Sequence, residues 1–326
     1  MITSIALYES VSFDPHYNLA IEQHLLETVG QGQCVLYLWQ NENTVVIGRN
    51  QNPWKECRTT LLEEEGGHLA RRLSGGGAVF HNLGNLNFTF LVNQEDYDLE
   101  RQLNVILEAV RSLGIPAEKS GRNDILAEGR KFSGNAFFKH NGKAYHHGTL
   151  MVDVDKEKLG RYLSPSKAKL QSKGVDSVRS RVVNLKELNP EITLTTLKEA
   201  LVRSFSAVYG GEPAFLTDED LDMEVISRLA ERNSSWEWKY GAKMPFTCEY
   251  EARFPWGGVQ VHLNVESGVI RQAKVYSDAM DWTIAEAVET ALAGCEFQKE
   301  ALMGSLLASD SPEVREMAEP LCQGLF

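Results

Sequence analysis

The chain lacks the cysteine pairs that mark a disulfide framework or a structural zinc site. Its 326 residues include only five cysteines, an odd number, and no two of them form a C-x-x-C pair. Small secreted domains and Cys-ligated zinc modules show the opposite pattern. The cysteine content therefore predicts a protein of a reducing compartment, and we expect a cytoplasmic location.

Long apolar runs and an excess of positive charge are missing as well. No apolar run approaches the roughly 18 residues that a membrane-spanning helix needs. The first residues, MITSIALYESVSF, lack the basic n-region and cleavage site of a signal peptide. The formal net charge is −12, whereas nucleic-acid binding needs a basic footprint. We predict no membrane span and no nucleic-acid partner, and any anionic ligand must be held by local basic clusters.

Several familiar catalytic motifs are absent. The chain contains no G-x-x-x-x-G-K-[ST], no G-x-G-x-x-G that opens a helix, no H-E-x-x-H and no G-x-S-x-G. These absences exclude P-loop, Rossmann, zincin and α/β-hydrolase sites of the usual kind. The adjacent histidines His146 and His147 would point to opposite faces of a strand, which is poor geometry for binding one metal ion.

The composition is that of a globular protein large enough for two domains. Hydrophobic residues make up 43% of the chain and charged residues 24%. We place the domain boundary near residue 245, after the predicted linker SSWEWKYGAKMP, so that residues 1–245 and 246–326 form separate domains. In the second domain, alternating apolar residues with glycine turns predict strands, and weaker helical patterns follow to the C-terminus.

Hydrophobic periodicity and cap residues predict the main elements of the first domain. Asp14 and Pro15 resemble the N-cap and first residue of a helix. The predicted helices begin at 14, 52, 98 and 196, the last with a capping box of Thr196 and Glu199, and the predicted strands span 35–39, 44–48 and 86–92. The helix at 98–114 is the most clearly periodic, with Gly114 as its stop.

From Asp124 the pattern changes to an antiparallel meander. Its predicted strands are separated by Glu128-Gly129 and by Asn141-Gly142, and Asn-Gly between apolar-rich arms is a strong hairpin signal. Gly134 lies inside the middle strand, which indicates either a bulge or a ligand close to the backbone.

The segment RRLSGGGAVFHNLGN, residues 71–85, places three consecutive glycines after two arginines. Bare backbone beside positive charge is typical of a phosphate cradled by N–H groups with an arginine behind them. The same residues are also typical of a flexible turn between two strands. The segment alone leaves both interpretations open.

Most charged residues of the meander are expected to be solvated, but two of them are candidates for a chemical role. Lys131 directly precedes Phe132-Ser133-Gly134, the tightest part of the middle strand. Asp124, in GRND, provides a carboxylate with an adjacent amide, which is an oxygen pair suited to Mg²⁺.

Taken together, several long and unusual blocks resemble the lipoate–protein ligase family. These blocks are LYLWQNENTVVIGRNQNPWKEC, LARRLSGGGAVFHNLGN, SGRNDI, GRKFSGNAF, YHHGTL, KGVDSVRSRVVNL, SSWEWKYG and RFPWGGVQ. They occur in the order and near the spacing of the bacterial two-domain ligases, from about residue 10 to residue 260. One departure is Asn82, which stands where the family often has Asp after the histidine. The resemblance implies an α+β fold: a large catalytic domain with mixed sheets packed by helices, similar to the biotin and lipoate ligases, and a small α+β C-terminal domain.

The resemblance also implies a reaction in two steps. Lipoate and ATP, with Mg²⁺, give lipoyl-AMP and pyrophosphate, and the lipoyl group then passes to a lysine of a lipoyl-bearing protein. The implied acceptors are the E2 subunits of 2-oxoacid dehydrogenases and the H protein of glycine cleavage. A cation between the two reacting anions suits this chemistry.

The same resemblance implies a role for particular residues. Lys131 is the implied catalytic residue and contacts both substrates, and Asp124 is the implied Mg²⁺ ligand. The implied ATP and adenylate contacts are Arg72, Gly77, Ala78, Val79 and Phe80. The implied lipoate contacts are Trp39, Ser74, Gly76, His81 and His147. Trp39 also fits a plain core position, and both histidines also fit structural roles.

Two other functions remain open from the sequence. The same scaffold could transfer a lipoyl or octanoyl group from a preformed donor, with Cys57 as the nearest thiol if a nucleophile is needed. A non-catalytic lipoate binder is the other, although Lys131 with Asp124 argues against it, because a sensor needs no activating cation.

Overall fold

The computed structural model describes residues 1–121, 124–164, 182–241, 244 and 246–326. Its strands are β1 Ser4–Glu9, β2 Gln33–Trp39, β3 Thr44–Ile47, β4 His68–Arg71, β5 Val79–His81, β6 Asn85–Asn93, β7 Ala117–Ser120, β8 Asp124–Ala127, β9 Arg130–His140, β10 Lys143–Met151, β11 Ala214–Phe215, β12 Cys248–Phe254, β13 Gly257–Glu266 and β14 Val269–Ser277. Its α-helices are α1 Pro15–Thr28, α2 Pro53–Glu56, α3 Thr59–Glu64, α4 Leu99–Ser112, α5 Lys156–Tyr162, α6 Leu185–Leu188, α7 Leu194–Tyr209, α8 Met223–Ser234, α9 Trp236–Tyr240, α10 Thr283–Leu292, α11 Lys299–Leu307 and α12 Pro312–Leu325.

These elements form two compact units. Unit 1 comprises Met1–Val46, Trp54–Ala70 and Val79–Lys239. Unit 2 comprises Ile47–Pro53, Arg71–Ala78 and Tyr240–Phe326. Two short segments from the first third of the chain therefore belong to the same unit as the C-terminal residues.

Unit 1 is built around an eight-stranded mixed sheet in the order β11-β1-β2-β6-β10-β9-β8-β7. β1 runs parallel to β11 and to β2, and the other neighbouring strands are antiparallel. A smaller sheet has the order β4-β3-β5. The predicted class, mixed sheets packed by helices, is confirmed.

The two faces of the large sheet carry different residues because side chains alternate along each strand. On β2, Leu36 and Leu38 join the apolar core beneath α4 and α7. Tyr37 and Trp39 face the other side, where the Tyr37 hydroxyl lies 3.2 Å from the side-chain oxygen of Asn18 in α1. The apolar face provides the core, and the α1 face carries a buried layer of polar and aromatic side chains.

Unit 2 is a smaller α+β unit. Its antiparallel sheet has the order β12-β13-β14, and the apolar sides of α10, α11 and α12 share one core with it. Within the described residues, no helix has both the length and the apolar character that crossing a bilayer requires.

Local capping explains why the clearest predicted helices were correct. The Asp14 side chain accepts hydrogen bonds from the backbone N–H groups of His16 and Tyr17 at the start of α1. Asp98 caps α4 in the same way, and Gly114 adopts a left-handed φ of 82° just beyond its end. These signals lie within a few residues of the helix ends, so a sequence pattern can detect them.

Two predicted helices differ from the structure. The helix expected from Thr196 begins at Leu194, because the Thr193 hydroxyl accepts the Thr196 N–H and takes the N-cap position. The helix expected from Pro53 is interrupted at Cys57 and forms two short helices, α2 and α3. The backbone of Cys57 pairs instead with that of Leu163 in an isolated antiparallel β-bridge. The segment SSWEWKYGAKMP, which fitted either a linker or the end of the first domain, contains α9, Trp236–Tyr240.

The meander was predicted correctly. Its strands are β8, β9 and β10, and they pair with one another in chain order. The four turn residues, Glu128, Gly129, Asn141 and Gly142, all have a positive φ between 49° and 72°, as two-residue hairpin turns of the primed type require.

The adjacent histidines of β10 point to opposite faces, as expected. His146 packs among the rings of Phe88, Phe90 and Phe137. Its Nε2 lies 2.8 Å from the Asn135 side-chain oxygen. Burial lowers the pKa of His146 to about 3, so the ring is neutral in the folded protein.

We expect His146 to make the fold sensitive to acid. Between pH 6.5 and about 3 the unfolded chain binds a proton at this ring and the folded chain does not, so stability falls as pH falls through that window. From pH 7 to pH 5 this histidine should cost about 2 kcal/mol of unfolding free energy. In His146→Gln the pH dependence should shrink by that amount when measured by urea unfolding. Burial also lowers the pKa of His16 to about 4. His16 is present in both proteins, so its contribution to the pH dependence cancels in the comparison. An identical pH dependence would contradict this role of His146.

Candidate active site

Lys131 and Asp124 form an ion pair on neighbouring strands of unit 1. The Lys131 Nζ lies 2.6 Å from an Asp124 carboxylate oxygen, and the two side chains are 35% and 38% exposed. The backbone oxygen of Lys131 accepts a hydrogen bond from Val183 at 2.9 Å. A fixed, partly exposed ammonium of this kind can attract an anion from solution.

A β-bulge sets the direction of the Lys131 side chain. Asp124 pairs with Gly134, and Ile125 with Ser133, but Leu126 pairs with Lys131, so one extra residue lies on β9. Such a bulge adds a local twist and redirects a side chain. The bulge lies two residues before Gly134, the glycine that had indicated either a bulge or a ligand close to the backbone.

A second cluster, the buried polar layer, lies on the α1 face of the large sheet. The Trp39 indole N–H donates to the Thr89 hydroxyl at 3.1 Å, and that hydroxyl donates to Glu22 Oε1 at 2.7 Å. The His147 Nδ1 lies 2.8 Å from the same carboxylate oxygen. All four side chains are buried. The layer is therefore a connected hydrogen-bond network, which holds its members in fixed orientations.

His81 belongs to the same layer. Its Nδ1 lies 3.2 Å from the Asn41 side-chain nitrogen, and its ring meets Trp39 edge-on at 6.2 Å. Trp39 in turn stacks on Tyr37 with a ring separation of 5.8 Å. The structure thus brings together three residues from separate parts of the sequence, Trp39, His81 and His147, which lie 42 and 66 positions apart.

Glu22 was missed from the sequence although a signal was present. It lies three residues after Leu19 and three before Leu25, on the apolar side of a predicted helix. A carboxylate at such a position is costly unless it is hydrogen-bonded. Here Thr89 and His147 both contact it.

The glycine loop, residues 71–78, belongs to unit 2, and both of its arginines bind the protein's own backbone. Arg71 donates to the carbonyl oxygens of Gly48, Arg49 and Gln51 at 2.8–3.2 Å. Burial lowers the pKa of Arg71 to about 10.

Arg72 holds the glycine loop itself. Its guanidinium donates to the Ser74 hydroxyl at 3.0 Å and to the carbonyl oxygens of Gly75 and Gly77 at 2.7 and 2.8 Å. The loop is therefore a backbone turn closed around an arginine, with its carbonyl groups directed toward the guanidinium.

The three consecutive glycines have different surroundings. A side chain at Gly75 would overlap the carbonyl oxygens of Ala279 and Met280 in the same unit. Gly76 has a φ of 90° and donates its N–H to Ala279 at 2.9 Å. A Cβ at Gly77 would meet nothing within 4 Å. The backbone of Ala279 and Met280 therefore approaches Gly75 closely, whereas Gly77 faces open space.

The residues after the glycine loop return to unit 1 in β5. Val79 is half-exposed, whereas Phe80 is buried with its ring 5.5 Å from that of Tyr162. Beyond β5, the side-chain oxygen of Asn82 accepts the Gly84 N–H at 3.1 Å. A carboxylate would make the same turn contact, so the Asn at this position preserves it.

The described residues contain no group of three or more His, Cys, Asp or Glu side chains placed to hold a metal ion. Asp124, the predicted Mg²⁺ ligand, already contacts the Lys131 ammonium, and its predicted amide partner, Asn123, lies outside the described residues. Within the described residues, Asp124 therefore offers one carboxylate, which suits an ion held jointly with substrate phosphates better than a site of protein ligands alone.

Cys57 does not have the character of a nucleophile. It is buried, and burial raises the pKa of its thiol to about 12. A thiol that stays protonated at neutral pH is unreactive toward an acyl donor.

Two family models match the chain. The model of the lipoyl protein ligase A/B catalytic domain matches residues 14–206. The model of the bacterial lipoate protein ligase C-terminus matches residues 243–317.

Solved structures of lipoate ligases are also similar to this chain. LipL1 of P. falciparum, in complex with lipoate, is 27% identical with a TM-score of 0.86, over 98% of this chain and 100% of that one. A lipoate-protein ligase A bound with ATP is 25% identical with a TM-score of 0.63, over 74% of this chain and 99% of that one. A bipartite lipoate protein ligase from Thermoplasma acidophilum, described with its E2 lipoyl domain, is 24% identical with a TM-score of 0.65, over 76% and 100%, and supports the fold alone.

Proposed function

Because this chain belongs to the lipoyl protein ligase A/B catalytic domain family, we propose that it is an ATP-dependent lipoate–protein ligase of the cytoplasm. It converts lipoate and ATP to lipoyl-AMP and pyrophosphate, and then transfers the lipoyl group to a lysine of a lipoyl-domain protein. The observation that carries this proposal is the partly exposed Lys131 ammonium, held by Asp124 on a bulged strand.

The first step joins two anions. A carboxylate oxygen of lipoate attacks the α-phosphorus of ATP, and the bond from that phosphorus to the pyrophosphate oxygen breaks. Lys131 lies between the carboxylate and the phosphate and offsets their repulsion where charge is greatest. Asp124 orients the ammonium through the 2.6 Å ion pair. In the second step the acceptor amine attacks the acyl carbon, loses a proton and displaces AMP.

The nucleotide contacts are assigned to the second half of the glycine loop and the start of β5. We assign them to the backbone of Gly77, Ala78, Val79 and Phe80, with Arg72 acting through the loop conformation that its guanidinium holds. Residues 77–79 are half-exposed whereas residues 74–76 are buried, so backbone groups in the second half can reach a ligand. Mg²⁺ would accompany the phosphates of ATP, with the Asp124 carboxylate as its proposed protein ligand.

The lipoate chain is assigned to the α1 face of the large sheet. Trp39, His81 and His147 would contact it, with Lys131 at the carboxyl end. The other two predicted lipoate contacts, Ser74 and Gly76, lie in the buried first half of the glycine loop in unit 2. An aromatic wall backed by a hydrogen-bonded layer suits a flexible apolar chain that ends in a polar group. The lipoate and ATP in the related structures agree with these two substrates.

The proposal also covers the acceptor proteins and the roles of the two domains. The acceptors are lipoyl domains, such as those of 2-oxoacid dehydrogenase E2 subunits and the glycine cleavage H protein. The archaeal ligase that shares the fold is described with its own E2 lipoyl domain, the same class of partner. We assign the chemistry to residues 1–245 and an accessory role to residues 246–326, although Ile47–Pro53 and Arg71–Ala78 of the first range belong to unit 2.

The test is exchange of labelled pyrophosphate into ATP by the purified protein. We expect exchange that requires lipoate, that EDTA abolishes and that Mg²⁺ alone restores. Absence of exchange together with transfer from synthetic lipoyl-AMP would instead identify a transferase. Lipoate binding without either reaction would identify a non-catalytic binder. A strict requirement for zinc would contradict the proposal.

A further inference from the structure

We propose that Gly134 is a positioning residue for Lys131, kept without a side chain so that the lysine can fold back onto Asp124. This inference rests on the proposed role of Lys131 in adenylation. It assigns a specific role to a residue that contacts neither substrate in that proposal.

The bulge places the three residues on one face of the sheet. In a regular strand, residues 131 and 134 would point to opposite faces, because their separation is odd. The extra residue in β9 changes this: Lys131 pairs with Leu126 and Gly134 pairs with Asp124. Leu126 and Asp124 are two residues apart on β8 and share a face, so their partners do too. The opposite face is buried, with Ile125 and Phe132 in the core.

The lysine side chain then runs over Gly134. A Cβ built at Gly134 would lie 2.9 Å from Lys131 Nζ and 3.0 Å from its Cε. Real Cβ atoms do not approach other heavy atoms this closely, so one of the two groups must move. The movable group is the end of a flexible lysine, and moving it would lengthen the 2.6 Å contact with Asp124.

Gly148, on the neighbouring strand β10, is surrounded by packed atoms rather than by a flexible side chain. A Cβ at Gly148 would lie 2.6 Å from the Phe88 ring, 2.7 Å from the Asn135 side-chain oxygen and 2.8 Å from the Gly134 backbone oxygen. These atoms are packed and cannot rotate away. Gly148 is therefore a packing requirement of the fold, whereas the space above Gly134 is needed by one mobile side chain.

The experiment is a double-mutant cycle with Gly134→Ala and Lys131→Ala. Pyrophosphate exchange and single-turnover formation of lipoyl-AMP are measured for the wild type, both single variants and the double variant. We expect Gly134→Ala to lower the rate about tenfold, within the ~100-fold that a 1 Å misplacement can cost. In the Lys131→Ala background the same change should have no further effect, because the displaced group is gone.

Stability measurements separate positioning from folding. The urea midpoint of Gly134→Ala should stay close to that of the wild type, and any loss should be recovered in the double variant. Gly148→Ala, the matched methyl addition on β10, should lower the midpoint clearly. Equal rate losses in both backgrounds, or none in either, would overturn the inference while leaving the proposed function intact. Normal exchange by Lys131→Ala would overturn the role of Lys131 and, with it, this inference.

Discussion

Replacing Lys131 by alanine is expected to slow lipoate-dependent adenylation by about 10²–10³-fold, or roughly 3–4 kcal/mol of transition-state stabilisation. The ammonium counters charge that is greatest when the carboxylate and the α-phosphate come together. The side chain is 35% exposed and its partner is one carboxylate of similar exposure, so folding should change little. Pyrophosphate exchange measures the chemical step, and urea unfolding measures the fold.

Two further variants make this result specific. Lys131→Arg should recover only part of the activity, because a planar guanidinium does not replace a compact point charge between two anions. Lys139→Ala removes a lysine from the other end of the same strand, where its Nζ lies 4.4 Å from the centre of the Tyr97 ring, and should keep normal exchange. If Lys131→Ala kept normal exchange, or if it unfolded the protein, Lys131 would be a structural lysine.

Adding one methyl group at Gly75 is expected to cost about 3 kcal/mol of unfolding free energy, at the upper end for overpacking. The new Cβ would overlap the backbone oxygens of Ala279 and Met280, and backbone cannot rotate away as a side chain can. The Gly76 N–H would also lose its 2.9 Å contact with Ala279. Urea unfolding of Gly75→Ala against the wild type measures the effect.

Gly77→Ala is the matched control for stability. It adds the same methyl group two residues along, where the new Cβ would meet nothing within 4 Å apart from its chain neighbours. The unfolding free energy should therefore change by less than about 0.5 kcal/mol. If both variants were equally stable, the glycine loop would not pack in unit 2 as described. If both were equally destabilised, the cost would reflect loss of glycine itself rather than the contact at Gly75.

The sequence by itself determined the elements whose signals are local. The turns of the meander depend on residues that tolerate a positive φ, such as Asn141 and Gly142, and the start of α1 depends on Asp14 and Pro15. Each of these signals acts within a few residues of the feature that it predicts. The family blocks likewise indicated Lys131 as the activating cation and Asp124 as a Mg²⁺ ligand, whereas the ion pair between the two side chains is seen only in the structure.

What the tertiary structure decided is which groups each of these residues contacts. The sequence could place an arginine beside three glycines, but only the packed chain directs Arg72 to the loop's own carbonyl oxygens. Glu22 becomes the common partner of Thr89 and His147 only because α1 crosses β6 and β10. The face on which Lys131 lies depends on one extra residue in the register of two strands. Strand periodicity specifies alternation but not the register between strands, and register depends on contacts between residues far apart in the chain.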